Sequence, residues 1–263
     1  MCFMKRAMSC GVGLEICCGD IGSAVAAMQG GAERIELCSG LAEGGLTPSV
    51  GMIRETSRLG LPLVNVLLRP RPGDFLYDSS ESLLLEYDTA ESVCSGAGGV
   101  VIGALTSEGD VDMELCSRLV ARVRENADRH VNITFHRAFD LARDAERSLE
   151  DIISLGCNCL LTSGMASSAE EGIVTLRELV RQADGRIMIM AGGGINPDNA
   201  ARIINDTGVG AIHATARSLI KSGMSFRREG VPMGAPGSDE YVRKTTDPLV
   251  VAQLKKITES FNR

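Results

Sequence analysis

Hydrophobic and polar positions repeat one pattern along the chain: a short apolar run, a polar or glycine-rich loop, and an amphipathic segment with helical periodicity. Eight such units are present, which indicates parallel strands joined by crossover helices. The predicted strands are residues 14–18, 34–38, 63–69, 99–105, 131–137, 159–163, 186–191 and 211–215. The predicted helices are residues 21–29, 50–59, 80–95, 112–126, 145–155, 169–183, 197–205 and 248–261.

Eight such units in 263 residues match the size of one closed (β/α)₈ barrel. The alternative, a doubly wound open sheet, usually carries a glycine-rich dinucleotide turn after its first strand. The stretch "CCGDIGSA" does not supply that turn. We therefore predict the α/β class, a single TIM barrel over residues 12–263 after a flexible N-terminal extension at 1–11, and no nucleotide cofactor. The long segment 216–247 interrupts the pattern and is predicted to be a functional or interfacial loop.

Side-chain alternation sorts each strand into a face toward the barrel interior and a face toward the helices. In the first strand Leu14 and Ile16 form the more apolar face, so Glu15 and Cys17 are predicted to point inward. The same argument points Glu36 and Cys38 inward from the second strand. From the third, fifth, sixth and eighth strands it predicts inward-facing Asn65, Leu67, Arg69, Thr134, His136, Thr162, His213 and Thr215.

This convergence of polar groups has two explanations. They satisfy one another in an internal network that holds the barrel in register, or they line a site at the C-terminal mouth, where (β/α)₈ enzymes place their chemistry. Polar residues from six strands are more than are needed to hold the strands in register. This number favours a functional site. The stretch "TFHRAFD" fits this interpretation, with His136 in the pocket, Arg137 reaching the adjoining loop, and Asp140 capping or pairing with it.

The stretch "MAGGGINPDN" indicates an anion-binding turn. Gly192, Gly193 and Gly194 follow the seventh strand, and Asn196 and Pro197 are a plausible N-cap and first helical residue. Backbone N–H groups there suit phosphate or carboxylate, although a tight turn alone also explains the glycines. Arginines near the same mouth strengthen the anion interpretation or act as salt-bridge partners of Glu15, Glu36 and Asp74; they are Arg69, Arg71 and Arg217.

The composition of the chain indicates which kinds of partner it is unsuited to bind. The net charge is −7 with a pI near 5.1, and the chain has no Trp and only 3% aromatic residues. An acidic chain with so few aromatic residues does not have the basic surface that binds nucleic acid. No apolar stretch is long enough to cross a membrane, and the first residues lack a secretory signal, so we expect a cytoplasmic protein.

The nine cysteines are odd in number and irregularly spaced, which indicates reduced thiols. Cys17 and Cys38 occupy matching positions near the ends of adjacent strands, about 4.8 Å apart. Two thiolates at that separation suit one soft ion such as Cu(I), whereas buried cysteine also serves as a small hydrophobe. Packing is the preferred interpretation for Cys157 and Cys159. Four more cysteines remain unassigned, namely Cys2, Cys10, Cys94 and Cys116.

An ordered series of motifs resembles the CutC copper homeostasis family: "LEICC", "GGAERIELCSGLAEGGLTPS", "RPRPGDFLY", "GALTSEGDVD", "FHRAFD", "LLTSG", "GGGI", "IHATARS" and "MGAPGSDEY". The resemblance implies a (β/α)₈ barrel, a cytoplasmic location, self-association as a dimer or tetramer, and handling of copper as Cu(I). It also implies copper ligands at Cys17 and Cys38. The family's polar mouth matches Glu15, Glu36, Arg69, Arg71, Asp74, His136, Arg137, His213 and Arg217.

Three functions follow from these observations. The first is Cu(I) binding through Cys17 and Cys38. The second is an enzyme for a small anionic, phosphorylated or sugar-like substrate, with catalytic candidates Glu15, Glu36, His136 and His213, and with the arginines, Asp74, Thr162 and the glycine turn binding the anion. The third is a purely structural pocket. No lysine stands at a strand end for Schiff-base chemistry, and no nucleophile elbow is present.

Overall fold

Eight parallel strands close into a barrel in the computed structural model, which describes residues 11–60, 63–228, 230, 231, 233 and 239–261. Each strand pairs with the next along the chain, and β1 pairs with β8 to close the ring, so the predicted (β/α)₈ topology is confirmed. The barrel strands are β1 Gly13–Cys18, β2 Arg34–Leu37, β3 Val64–Leu67, β4 Gly99–Ile102, β5 Asn132–Phe135, β6 Cys159–Thr162, β7 Met188–Gly192 and β8 Ala211–Ala214.

Helices alternate with the strands and mostly begin at a residue whose side chain accepts a backbone N–H of the first turn. Asp20, Ser49, Asp112, Asp144 and Asp247 each do so, which satisfies donors that a helix leaves unpaired. The helices are α1 Ile21–Gln29, α2 Val50–Ser57, α3 Ser79–Cys94, α4 Met113–Asn126, α5 Ala145–Ser154, α6 Ile173–Ala183, α7 Ala200–Thr207 and α8 Pro248–Ser260. No helix of the described residues is long and apolar enough to cross a membrane.

The hydrophobic core lies in two places. Between strands and helices, one large cluster contains the apolar face of each strand, including Leu14, Ile16, Ile35 and Leu37. Inside the barrel, two small clusters lie at different heights: one comprises Cys17, Cys38, Leu67 and Val101, and the other Cys159, Leu161, Met190 and Ala211. The polar groups that share the barrel interior are largely shielded from solvent.

Two predicted helix starts are wrong for local reasons. Asn196 and Pro197 do not start α7, because the Oδ1 of Asn196 accepts the N–H of Asp198 in a turn, and Asn199 is the N-cap residue. The helix predicted from residue 169 starts at Ile173, since the Ala169 N–H donates to the carbonyl of Gly193 and holds that segment as a loop.

The described part of the segment 216–247, predicted to be a loop, contains regular structure. It forms a two-stranded antiparallel sheet, β9 Arg217–Lys221 and β10 Val242–Thr246, and β10 packs against α1. The predicted extension at residues 1–11 lies outside the described residues except for Gly11.

Gly99 in β4 is the position where the barrel interior tolerates no side chain. A Cβ there would lie 2.1 Å from Oδ1 of Asn65 and 3.1 Å from the carbonyl oxygen of Asn132. We expect Gly99→Ala to lower the free energy of unfolding by about 1–3 kcal/mol, the usual cost of overpacking. Urea unfolding measures this change.

The matched control is Gly51→Ala on α2, where the nearest atom to the new Cβ is 3.9 Å away. Alanine there should raise stability by up to about 1 kcal/mol or leave it unchanged. Equal effects of the two substitutions would contradict the packing described for β4.

Candidate functional site at the barrel mouth

A cavity of about 270 Å³ opens at the C-terminal ends of the strands. Of the sequence-predicted site residues, nine line it: Cys17, Glu36, Arg69, His136, Arg137, Gly193, Gly194, His213 and Arg217. Thr215, which the alternation also pointed inward, lines it too, whereas Glu15 lies below His213 and Cys38 lies beside Cys17. Strand alternation thus brings most of the predicted site to one place.

The two thiols and Glu36 form a buried cluster on one wall. Cys17 and Glu36 are direct Cα partners in the β1–β2 register, and Cys38 follows two residues later. The Cys17 and Cys38 sulfurs are 3.5 Å apart, and the Cys17 thiol donates to Oε2 of Glu36 at 3.2 Å. Among the described residues, these three are the group whose ligand atoms lie close enough to hold one metal ion, all within 4.8 Å of one another.

Burial controls the protonation of this cluster. The hydrogen bond with Cys38, burial, and the neighbouring Glu36 raise the pKa of Cys17 well above its ordinary value, so the free thiol is protonated near neutral pH. Burial also raises the pKa of Glu36, although the adjacent His213 opposes that rise. A carboxyl group of this kind is a stronger base than an exposed glutamate when it is ionised.

Glu15 forms a second polar layer under the cluster. Its side chain is 1% exposed, and it accepts hydrogen bonds from Asn65 Nδ2 at 2.7 Å and from His213 Nδ1 at 2.8 Å. Arg34 Nε lies 3.3 Å from the same carboxylate. Burial raises the pKa of Glu15, but Arg34 and His213 outweigh it and the pKa is lowered overall. Glu15 is therefore held ionised.

His213 lies between the two carboxylates, with Nε2 at 3.8 Å from Oε2 of Glu36. Burial lowers the pKa of His213, but Glu36, Cys17 and Glu15 together raise it well above its usual range. The side chain is therefore an imidazolium at the cavity wall.

Arg34 belongs to this network but is missing from the predicted site. Arg34 lies two residues before Glu36 on β2, so both side chains are on the same face of the strand. The alternation that points Glu36 inward therefore also points Arg34 inward. Its guanidinium also contacts the sulfur of Met190 at 2.9 Å.

His136 has a different environment and a different charge. Its Nδ1 accepts the backbone N–H of Ala138 at 3.0 Å, which assigns the proton to Nε2. Burial, assisted by Arg69, lowers its pKa to about 3, so the ring is neutral. Nε2 is buried and has no partner in the described part of the chain. Gly103 makes room for the ring, because a Cβ there would lie 2.5 Å from Cε1.

Asp140 explains why a strand ends in "TFHRAFD". It accepts a hydrogen bond from Arg137 Nε at 2.7 Å and others from Thr162 Oγ1 and the backbone N–H of Ser163. Arg137 Nη2 also donates to Ser163 Oγ at 2.9 Å. Asp140 therefore fixes the Arg137 guanidinium beside the cavity.

The predicted inward orientation of Thr162 is wrong. Cys159 and Leu161 face the interior of β6, so Thr162 has the opposite parity and contacts Asp140 outside the cavity. Gly192 also does not line the cavity; it is a packing position, since a Cβ there would lie 2.6 Å from Cδ1 of Leu161.

The predicted rim arginines differ in role. Arg69 donates to the carbonyls of Glu43, Gly45 and Gly73 and so ties the loops after β2 and β3 together at the cavity wall. Arg71 pairs with Glu81 and Asp74 and is not in the cavity. Arg71 is therefore a salt-bridge partner of Asp74, the alternative that the sequence leaves open, and neither residue lines the cavity.

The remaining cysteines lie away from the mouth. Cys157 and Cys116 are buried in the outer core and Cys159 lies in the lower cluster inside the barrel, as the packing interpretation of the Cys157–Cys159 pair predicts. Cys94 is exposed, and all seven described cysteines are free. Cys2 and Cys10 lie outside the described residues.

The neutral state of His136 predicts an acid-dependent loss of stability. A histidine with a pKa of about 3 when folded and 6.5 when unfolded binds fewer protons in the native state, so stability falls as the pH drops from about 6.5 toward 3. Between pH 7.5 and pH 5 this loss is about 2 kcal/mol at 1.36 kcal/mol per unit. The control is His136→Asn, whose amide oxygen can accept the Ala138 N–H but does not titrate. Between pH 7.5 and pH 5, the free energy of unfolding measured with urea should fall by about 2 kcal/mol more for the wild type than for this variant. Parallel pH profiles would contradict a neutral, buried ring.

Comparison with known proteins identifies the family of the chain. The CutC family model matches residues 12–218. A CutC family protein of Chromobacterium violaceum is 45% identical over 92% of this chain and 96% of its own length. The human copper homeostasis protein cutC homolog is 44% identical over 94% of this chain and 89% of its own.

A solved structure gives the same result. The CutC protein of Streptococcus agalactiae superposes with a TM-score of 0.73 at 31% identity, covering 78% of this chain and 98% of that one. Sequence similarity along most of the chain and the shared barrel lead to one conclusion: the chain belongs to the CutC family.

Proposed function

We propose that the protein binds one Cu(I) ion through Cys17 and Cys38, with Glu36 beside them, and takes part in copper homeostasis. The observation that carries this proposal is the approach of the two sulfurs to 3.5 Å in a buried cluster at the cavity wall. That separation is within the span of two metal–thiolate bonds of about 2.3 Å each, so one ion can contact both sulfurs. The name of the human relative supports the copper role.

The donor set favours a soft monovalent ion. Two thiolates select Cu(I) over hard cations, which prefer oxygen. A structural zinc site has four ligands, and the cluster offers three donor residues among the described positions. Cu(I) binding needs the thiolate form, and the protein keeps Cys17 protonated when it is free, so metal uptake releases a proton.

Buried free thiols need a reducing compartment, so we propose that the protein works in the cytoplasm. Family resemblance is the basis for proposing a homo-oligomer, a dimer or a tetramer. The masses measured by light scattering at several protein concentrations test that assembly.

The copper proposal predicts loss of Cu(I) in one double variant. Anaerobic competition with a Cu(I) chelator should show one ion per wild-type chain. Cys17→Ala with Cys38→Ala should weaken binding by more than the roughly 10- to 100-fold that loss of an outer-shell partner costs. Cys18→Ala is the matched control, because Cys18 is adjacent and buried but faces the outer core. Unchanged affinity in the double variant contradicts the proposal.

We propose as a second candidate function a proton-transfer enzyme acting on a small anionic substrate. The specific observation that favours it is the pair of Glu36, with its raised pKa, and protonated His213 on one cavity wall. Glu36 would take a proton from a hydroxyl-bearing carbon next to a carbonyl while His213 donates to the carbonyl oxygen, which gives an enediol. Glu36 would then return its proton to the former carbonyl carbon while His213 regains a proton from the other hydroxyl, which becomes the new carbonyl and gives an isomer. A two-thiol copper site has no need of Glu15, His136 or Arg137. Glu15 orients His213 rather than touching the cavity.

Deuterium exchange tests this second function. The protein in D₂O, with a panel of phosphorylated sugars and sugar acids, should catalyse exchange at the carbon next to the carbonyl of one member, followed by NMR. Glu36→Gln should remove the exchange because the amide cannot accept the proton. Arg71→Gln, at the rim but outside the cavity, should leave it unchanged. Absence of exchange with every member of the panel contradicts the enzymatic function.

A further inference from the structure

Within the described part of the mouth, the ring N–H of His136 is a buried donor without a partner. His136 is 4% exposed, lines the cavity, and carries its proton on Nε2 because Nδ1 accepts the Ala138 N–H. Its Nε2 has no acceptor in the residues that the structure describes. Buried polar groups are nearly always hydrogen-bonded, so an unpaired N–H in a cavity wall indicates an acceptor atom on a ligand.

A fixed guanidinium lies in the same wall. Arg137 is held through Nε by Asp140 and through Nη2 by Ser163, and Asp140 is itself anchored by Thr162 and the backbone N–H groups of Ser163 and Met165. Within the described chain, Nη1 of Arg137 has no protein acceptor. Such a preordered guanidinium loses little side-chain freedom when an oxyanion binds.

The glycine turn after β7 lies against this arginine. Gly193 and Gly194 have φ values of 100° and 79°, which suit glycine alone. A Cβ on Gly193 would lie 3.5 Å from Arg137 Cζ, so the backbone closely approaches the guanidinium. The N–H groups of Gly193 and Gly194 donate to no acceptor within the described ranges. Both residues line the cavity, which thus contains a cluster of unpaired donors.

The charges lining the cavity favour an anion. Three arginines line the cavity, against a single carboxyl group, Glu36. Arg217 contributes from β9 and is exposed on the cavity side. The volume of about 270 Å³ is near the lower end of the roughly 300–1,000 Å³ of small-molecule sites. A small molecule with one anionic group fits this size and charge.

We infer that the mouth is a binding site for a small organic anion, a carboxylate or a phosphate ester, whose anionic group contacts Arg137, Arg217 and the Gly193–Gly194 turn. A hydroxyl or carbonyl oxygen of the same molecule accepts the hydrogen bond of His136 Nε2. The inference rests on the second candidate function for its choice of cavity, and it is independent of whether the bound molecule reacts. It is also independent of copper, because neither thiol supplies one of these donors.

Calorimetric titration of the full chain with sodium glycerol 3-phosphate, sodium glycerate and sodium phosphate tests the inference, with sodium chloride at matched ionic strength as the reference. We expect glycerol 3-phosphate or glycerate to bind, and the comparison of the two identifies the anionic group. Arg137→Gln and Arg217→Gln should each weaken that binding about tenfold or more, as loss of a charge-assisted pair implies. Arg71→Gln should bind like the wild type, because Glu81 and Asp74 hold that arginine outside the cavity.

His136→Asn separates the two parts of the site. This variant should weaken the binding of glycerol 3-phosphate, which carries hydroxyl groups that can accept the Nε2 hydrogen bond. It should weaken the binding of inorganic phosphate less, because phosphate does not need that donor. The Cys17→Ala, Cys38→Ala double variant should bind the anion normally, so failure of the copper proposal leaves this result unchanged. Anion binding without deuterium exchange would remove only the enzymatic function.

Two results would overturn the inference. One is that none of the three anions binds more tightly than chloride. The other is that an anion binds but neither Arg137→Gln nor Arg217→Gln weakens it. Because Arg137 also holds Asp140, its variant is checked by circular dichroism, and exposed Arg217 supplies a second variant without that structural role.

Discussion

The burial of the Glu15 carboxylate constrains the rest of this barrel. An ionised carboxylate in a dry interior is very costly unless charge and hydrogen bonds compensate it. The register supplies the compensation, because Glu15 is the Cα partner of Arg34 on β2 and of His213 on β8. The same β1–β2 register makes Cys17 the partner of Glu36. A slip of β1 by one residue would move Glu15 and Cys17 together to the helix-facing side, so the pairing that stabilises Glu15 also creates the thiol cluster.

The site has two layers with opposite properties. In the lower layer the side chains of Arg34, Asn65 and His213 all contact the Glu15 carboxylate, which fits an internal network that holds the register. In the upper layer His136 Nε2 and the N–H groups of Gly193 and Gly194 have no acceptor among the described residues, and all three residues line the cavity. The lower layer therefore fits the explanation by an internal network, and the upper layer contains the residues of the proposed site. Space for the lower layer comes from Gly99, which admits the Asn65 side chain.

Much of this arrangement is predictable from the sequence because the alternation of side chains is local. The eight strands, the inward faces of β1 and β2, and the position of His136 follow from strand parity alone. Parity fails for Thr162, since "CLLTS" has a thiol and two leucines before the threonine and no clear polar face to set the phase.

Other features depend on long-range contacts that no local pattern encodes. Arg69 is bound to three loop carbonyls, one of them 26 residues away in sequence, and this occupies a guanidinium that the sequence assigns to anion binding. Asp140 gathers donors from a segment more than 20 residues downstream. Parity places a side chain inside or outside, but only the folded loops determine which partners are already satisfied.

Glu36 links the two functions that the mouth can support. It accepts the hydrogen bond of the Cys17 thiol and lies beside His213, so it is adjacent both to the proposed metal ligands and to the proposed acid–base pair. An ion held by both sulfurs replaces the proton that Cys17 donates to Glu36, and two thiolates with one Cu(I) carry a net negative charge. A neighbouring negative charge raises the pKa of a carboxyl group and favours its protonated form. Copper in the thiol cluster would therefore favour protonated Glu36, which cannot abstract a proton, and the two functions would be alternative states of one cavity.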